Sequence, residues 1–279
     1  NSSWENFELI IVNDGSTDET EEVIKKYAKA DKRIISLTQE NKGISSAYNT
    51  GLRIAQGEII AFLEDDDEWL KDKLKNQIAI LKQFPSVGLI TSYAYIIYPN
   101  GRKKLYQTRF QGLLTKGSNC QFLEEWTILS LSTVLINKSL VGHFSFDENL
   151  KTGMDHDLYL QLLKNFDFYF LSQPLINYYF DPQSFSRQNF WVKYIAEYEY
   201  LFSKYKNYLE ACPKAKSRFY KTLGSCYLLN HKLDKGRRLL LEAIKAYPFN
   251  WKAWLHFLTS LGGTNFYQKF LWLKRKLWL

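Results

Sequence analysis

The sequence predicts an α/β fold, a mostly parallel sheet with flanking helices, followed by a small all-α region. Three observations predict it. Over the first 70 residues, short apolar runs alternate with amphipathic stretches, as strand–helix–strand units require. Two of the apolar runs, 9–12 and 59–63, end in acidic turns, Asn13-Asp14-Gly15 and Glu64-Asp65-Asp66-Asp67. From about residue 187 the strand pattern stops and helical periodicity continues to the end.

Each element follows from local signals. Residues 7–13 read as a buried strand, and Ser16-Thr17-Asp18-Glu19 as a capping box that opens a helix through Ala30. Residues 34–37 form a second strand. Ile44, Ala47, Leu52 and Ala55 give 44–55 a helical stripe that ends before Gly57, and 58–63 is the third strand. An amphipathic helix over 70–83 stops before Pro85. Strands 87–98 and 102–109 flank the turn Pro99-Asn100-Gly101. A strand over 130–137, a helix over 154–164, and strands near 167–171 and 174–180 complete the first domain, 1–187. The second, 188–279, is helical.

The bulk numbers set bounds. The chain has 279 residues, 46% apolar and 24% charged, with 16% Phe, Trp and Tyr, an ordinary folded composition rich in aromatics. Residues 1–180 hold 19 Lys and Arg against 23 Asp and Glu, a net charge of −4; residues 181–279 hold 18 against 6, a net of +12. An acidic front and a basic back imply two modules with different partners. Cys120, Cys212 and Cys226 are odd in number and widely spaced, and read as reduced thiols of a cytoplasmic protein. No apolar run reaches the roughly 18 residues a membrane span needs.

The chemistry sits at the two acidic turns. Four adjacent carboxylates repel one another, so a fold keeps Glu64, Asp65, Asp66 and Asp67 together chiefly around a cation. At the end of a buried strand the fitting cation is Mg²⁺ or Mn²⁺, shared with phosphate oxygens. Two strands that deliver carboxylates to one sheet edge build nucleotide sites in open α/β folds.

In order and spacing, 7–18 (Phe-Glu-Leu-Ile-Ile-Val-Asn-Asp-Gly-Ser-Thr-Asp), the block from Gly43 to Trp69, and Gly153-Met154-Asp155-His156-Asp157-Leu158 resemble the family 2 glycosyltransferases, which have a Rossmann-like GT-A fold. The resemblance spans about 5–187. It implies a nucleotide-sugar donor, with Asp14 accepting a hydrogen bond from the nucleobase, Asp65 near the ribose, and Asp66 holding the metal that bridges the phosphates. Glu64 stands where the family has Asp. Asp155 would be the general base that takes the proton of the acceptor hydroxyl, in a direct displacement with inversion. A helix N-cap is the structural alternative for Asp155, and Asp157 would cap or orient the helix.

Some positions depart from the family pattern. Tyr179 stands in place of an Arg, Asp181 in place of a His and still able to bind a metal, and Tyr48 in place of another Arg. Arg187 and Lys42 could supply phosphate charge instead. The family also begins with a strand and a helix ahead of the segment at Phe7, so the resemblance implies that these are missing. Acceptor contacts are expected from 105–133, with Trp126, Ser132 and Thr133 as candidates.

In the basic third, Tyr220, Leu223, Gly224, Tyr227, Gly236, Leu240, Ala243 and Pro248 fall at the offsets of one tetratricopeptide repeat, a module that would bind a protein partner. Residues 264–279 interleave Phe266, Phe270, Trp272 and Trp278 with Lys269, Lys274, Arg275 and Lys276, which suits either a membrane interface or a helix docked on the stack. Nucleic acid is disfavoured, because no binding module accompanies the charge.

The combined reading is a bacterial, inverting, metal-dependent transferase. It would move a sugar from a nucleoside-diphosphate sugar, a UDP-sugar, to a glycan or lipid-linked acceptor in polysaccharide or envelope biosynthesis, on the inner face of the cytoplasmic membrane. The alternatives are a degenerate, non-catalytic transferase domain that carries an interaction module, and a nucleotidyltransferase.

Overall fold

The computed structural model of the chain describes residues 2–125, 128–183 and 195–278, the side chains of 272 and 274–278 excepted. The chain divides into two compact units, with the break between Asp181 and Pro182. A boundary at 187 lies outside the described residues.

The first unit opens with β1 (Leu9–Asp14) and β2 (Ile34–Gln39), a parallel pair joined by α1 (Thr20–Ala30). The capping box does not form. Helix α1 starts at Thr20, and it is the Thr20 N–H that donates to Asp18 Oδ1, at 3.1 Å. After α2 (Ile44–Ile54) come β3 (Ile59–Ala61), β4 (Asp67–Trp69), α3 (Lys73–Gln83), β5 (Val87–Ile97), β6 (Lys103–Tyr106) and β7 (Gly112–Leu114). Then follow β8 (Leu135–Asn137), the short helix α5 (Lys138–Val141), α6 (Met154–Leu163) and β9 (Asp167–Tyr179); helix α4 (Asn119–Glu125) lies between β7 and β8 in the chain.

The main sheet runs β3-β8-β5-β9-β4, with β6 on β5 and β7 on β9. It is mixed rather than mostly parallel. Among the described residues only β5 and β9 pair in parallel within it, while β3–β8, β5–β8, β4–β9, β5–β6 and β7–β9 are antiparallel. The first 70 residues read as parallel because they hold the short β1–α1–β2 crossover; the later strands arrive through hairpins and long excursions that carry no such signature.

Strand β5 is the spine. Its first eight residues are buried, and Val87 and Ile90 pack with Leu74, Ile78 and Leu81 of α3 and with Leu135 of β8. Gly88 is required there, since a Cβ would lie 2.7 Å from Phe166 Cβ and 2.9 Å from Val141. The two strands expected near 167–171 and 174–180 are one strand, β9, whose register against β5 slips where Ser92 faces Leu171 but Tyr93 faces Pro174. Pro174 has no N–H to give the ladder, so the irregularity falls there.

The second unit takes in 120–125 of α4 together with α7 (Ile195–Lys204), α8 (Lys206–Glu210), α9 (Pro213–Leu229), α10 (Leu233–Ala246), α11 (Trp251–Ser260) and α12 (Gly263–Trp278). Here the cysteine reading is corrected. Cys120 and Cys212 form a disulfide, and only Cys226 is free, buried, with burial pushing its thiol up to about 12. The pair is 92 residues apart, so spacing could not reveal it. Arg218 Nη1 also donates to the carbonyl of Glu124 in α4. Helices α9 and α10 cross at Gly224 and Gly236: a Cβ on Gly224 would lie 3.0 Å from the Gly236 carbonyl, and one on Gly236 2.7 Å from Leu228. Among the described residues no helix is long and apolar enough to cross a membrane.

Candidate active site

Helix α2 organises the site. Asp14, at the end of β1, fixes the approach to it: Oδ1 accepts from Gln39 Nε2 at 2.7 Å and from the Lys42 N–H at 3.0 Å, and Oδ2 accepts from the Gly43 N–H at 2.9 Å. Gly43 has φ near 90°, a conformation that side chains rarely adopt. Two residues on, Ser45 Oγ donates to the Leu150 carbonyl at 2.9 Å. Asn49 exchanges two hydrogen bonds with the backbone of Phe146 and also donates to Glu148 Oε1 at 2.9 Å. These bonds hold the segment 146–150, which leads into α6 and therefore into Asp155.

The acidic run turns between β3 and β4. The Glu64 N–H donates to Ser132 Oγ at 2.9 Å, and Ser130 Oγ lies 2.7 Å from Glu64 Oε2 and 2.9 Å from Asp67 Oδ2. Glu64, Asp66 and Asp67 each offer an oxygen within 4.8 Å of the others. Burial pushes the Glu64 carboxyl up to about 7 against the bond from Ser130, and burial raises Asp67 as well. Three convergent carboxylate oxygens with no nitrogen or sulfur among them fit Mg²⁺ or Mn²⁺. Asp67 joins Asp66 here, whereas Asp65 and Asp181 are not in this group; Asp181 lies two residues past the end of β9.

Asp155 is not the N-cap of α6. Gly153, with φ of 72°, takes that position, and Asp155 sits in the first turn. Burial would raise its carboxyl, but the charge and hydrogen bonds of His156, whose Nδ1 is 3.1 Å from Asp155 Oδ1, hold it below the usual carboxylate range. Asp157 is fully buried and accepts from Gln161 Nε2 at 2.6 Å, which ties it into the helix.

Tyr48 joins the two acidic groups. Its ring stacks on Phe146 at 5.0 Å and meets Phe62 edge-on at 5.4 Å. Burial first, then the charges of Glu64 and Asp155, raise its hydroxyl. Tyr159 responds to burial and to the same two carboxylates. Glu64 and Asp155 thus face one electrostatic neighbourhood, although 91 positions separate them in the chain. Tyr179, the other tyrosine at an arginine position of the family pattern, donates to Glu68 Oε2 at 3.2 Å, beside Asn177 at 2.7 Å.

Two acceptor candidates are corrected. Ser132 and Thr133 are wholly buried: Thr133 Oγ1 donates to the Ser130 carbonyl at 2.7 Å, and Ser132 serves the acidic run. Trp126 and Arg187 lie outside the described residues. Sequence reasoning missed Ser130 and Asn49, because a lone Ser or Asn carries no pattern. Asp67 did carry one, standing two residues before Trp69 on the inward face of a strand.

A family model described as Glycosyl transferase family 2 matches residues 1–143. The putative teichuronic acid biosynthesis glycosyltransferase TuaG of Bacillus subtilis (strain 168) is 32% identical over 178 residues, 63% of this chain and 68% of its own length. An uncharacterized glycosyltransferase of Haemophilus influenzae is 33% identical over 165 residues, 59% of this chain and 63% of its own. One from Rickettsia bellii is 32% identical over 162 residues, and the chain spans only 23% of its length. Among solved structures, S. aureus TarS 1-349 in complex with UDP-GlcNAc superposes with a TM-score of 0.58 at 19% identity, covering 88% of this chain and 75% of that one. That likeness is one of fold, a GT-A α/β domain followed by C-terminal helices.

Proposed function

The chain belongs to glycosyl transferase family 2, and we propose that within it the chain transfers a sugar from a UDP-sugar to a hydroxyl of a glycan or lipid-linked acceptor, with inversion. The reading is supported above all by the convergence of Glu64 and Asp155 around Tyr48. A donor diphosphate at the acidic run would leave its anomeric carbon facing a carboxylate from α6. The TarS structure with UDP-GlcNAc bound to the same fold supports the choice of donor.

In this reading Asp14 receives the base. A carboxylate has about four acceptor positions. The protein's own donors occupy both of those on Oδ1 and one on Oδ2, which leaves one, the number that the single N–H of a uracil ring needs. Asp65 contacts the ribose. Glu64, Asp66 and Asp67 would hold Mg²⁺ or Mn²⁺, with Asp181 proposed as a further ligand, and the ion would offset charge on the departing UDP. Asp155 takes the acceptor proton. Its carboxyl, held below the usual carboxylate range, is ionised at neutral pH, so the base is ready before the acceptor arrives.

The helical unit is proposed as the anchor. Residues 243–279 carry six Lys and Arg and no Asp or Glu. Trp251, Trp254 and Leu258 stand exposed at i, i+3 and i+7 of α11, and Phe266 and Leu273 at i and i+7 of α12. An apolar, Trp-bearing helix face with basic flanks fits an anionic membrane surface.

Calorimetric titration of the whole chain with UDP, with and without Mn²⁺, tests the donor site. Binding that needs Mn²⁺ and is lost in Asp66→Asn is expected, and absence of UDP binding by folded protein would sink the reading. Binding without transfer to any acceptor would favour the non-catalytic alternative.

A further inference from the structure

Lys73, the first residue of α3, is 1% exposed, and an ammonium in a protein interior is costly to keep. Its surroundings show what it holds. Lys73 Nζ donates to Gln77 Oε1 at 2.8 Å and reaches the Val134 carbonyl at 3.5 Å, and it sits 4.4 Å from the centre of the Trp69 ring. Gln77 Nε2 in turn donates to the Thr133 carbonyl at 2.8 Å, and Trp69 Nε1 to the Ser132 carbonyl at 3.1 Å. Three consecutive carbonyls, of Ser132, Thr133 and Val134, thus each meet a donor from one cluster, with Lys73 touching both of its other members.

Those carbonyls belong to the 3-10 turn Leu131–Thr133 and the residue after it. On its other side the same turn presents Ser130 and Ser132, whose hydroxyls hold Glu64 and Asp67. Thr91 Oγ1, 2.8 Å from Thr133 Oγ1, is a further brace from β5. No member of the cluster is itself one of the three convergent carboxylates.

We propose that Lys73 is a positioning residue for the acidic run: through Gln77, Trp69 and the 131–133 turn it sets the two serine hydroxyls that fix Glu64 and Asp67 for a divalent cation. The proposal rests on the metal reading of Glu64, Asp66 and Asp67, and adds the layer beneath them. Outer-layer groups that orient metal ligands change metal affinity by about 10–100-fold when removed. A lysine kept only for stability behaves in the opposite way. Lys73→Met leaves a chain of similar volume with no charge to bury, so the fold should hold or gain thermal stability while the cation site loosens.

The experiment is a Mn²⁺ titration of the whole chain, with thermal midpoints, for the wild type, Lys73→Met, Lys73→Arg, Gln77→Glu and Asp66→Asn. Gln77→Glu keeps an acceptor for Lys73 but removes the donor to the Thr133 carbonyl, so it cuts the relay without orphaning the ammonium. The expected result is Mn²⁺ binding in the wild type that is lost in Asp66→Asn, about tenfold weaker in Lys73→Met at an undiminished midpoint and about tenfold weaker in Gln77→Glu, with most of the Lys73→Met loss recovered by Lys73→Arg. Wild-type affinity in both relay variants overturns the proposal. So does a midpoint that falls in both with affinity unchanged, which marks a purely structural lysine. If the wild type binds no Mn²⁺, the metal reading fails, and hydrogen exchange at the Glu64 amide decides the relay. Exchange at least tenfold faster in both variants, with α3 amides unchanged, upholds it, and unchanged exchange overturns it.

Discussion

Asn49 and Phe146 bond to each other twice: Asn49 Nδ2 donates to the Phe146 carbonyl at 2.9 Å, and the Phe146 N–H donates to Asn49 Oδ1 at 2.8 Å. A side-chain amide thereby serves as a one-residue strand partner, 97 positions away in the chain. The loop ahead of Asp155 is fixed at Phe146 and Leu150 by a helix that also carries Tyr48 and follows the Gly43 N–H bound to Asp14.

Removing that amide should be costly. Asn49→Ala leaves a buried N–H and carbonyl at Phe146 without partners, each worth about 1–3 kcal/mol. Urea unfolding should show a loss of about 2–4 kcal/mol. Asn49→Asp keeps the acceptor but sets an oxygen against the Phe146 carbonyl and Glu148, so it should fall below Asn49→Ala at pH 8. A loss within error for both would show that the loop is held elsewhere.

Asp155→Asn separates base from binding. The amide cannot accept the acceptor's proton, so sugar transfer should drop by about 10²–10⁴. UDP affinity should stay within about twofold, because Asp155 touches no part of the nucleotide in this reading. Equal losses in turnover and UDP binding would remove Asp155 from the role of base.

Lys73 gives a pH signature. Burial lowers its ammonium to about 7, against an ordinary lysine value near 10.4 in the unfolded chain. Between those values the unfolded state binds more protons than the folded one, so the lysine's contribution to stability rises with pH across the window. Its cost is present in full below about pH 7. Urea unfolding between about pH 7 and 9.5 should therefore show a steeper rise for the wild type than for Lys73→Met, and parallel profiles would contradict this.

The membrane reading is tested on vesicles. The whole chain should co-float with phosphatidylglycerol vesicles at low salt and release as ionic strength rises. Replacing Trp251, Trp254 and Leu258 together with Ser should cut binding about tenfold or more while the helical signal stays. Unaltered flotation of that variant would move the contact away from α11.

The sequence made the chemistry legible where it lies in contiguous blocks: β1 with Asp14, the acidic run, and the turn into α6. Helices α2, α3 and α6 were readable from their apolar period. What stayed hidden was long-range. Ser130 reaches Glu64 across 66 positions and Asn49 reaches Phe146 across 97, pairings that only the closed sheet creates. The antiparallel returns of β8 and β4 and the Cys120–Cys212 bond were invisible for the same reason. Lys73 looked like one more charge on an amphipathic helix, because a burial of that kind is set by what packs above it.

The discontinuity of the helical unit bears on how the chain is made. Residues 120–125 leave the ribosome about 90 residues before Cys212 and Arg218, the groups that hold them, exist. Synthesis at roughly 5–20 residues per second leaves this short segment without its partners for several seconds, while α6 and β9 emerge and the first unit closes around its sheet. The transferase unit must therefore fold around a loop it does not keep. A gene cut at residue 182 would deliver each half in a different condition, the front with a stray helix and the back with an empty seat.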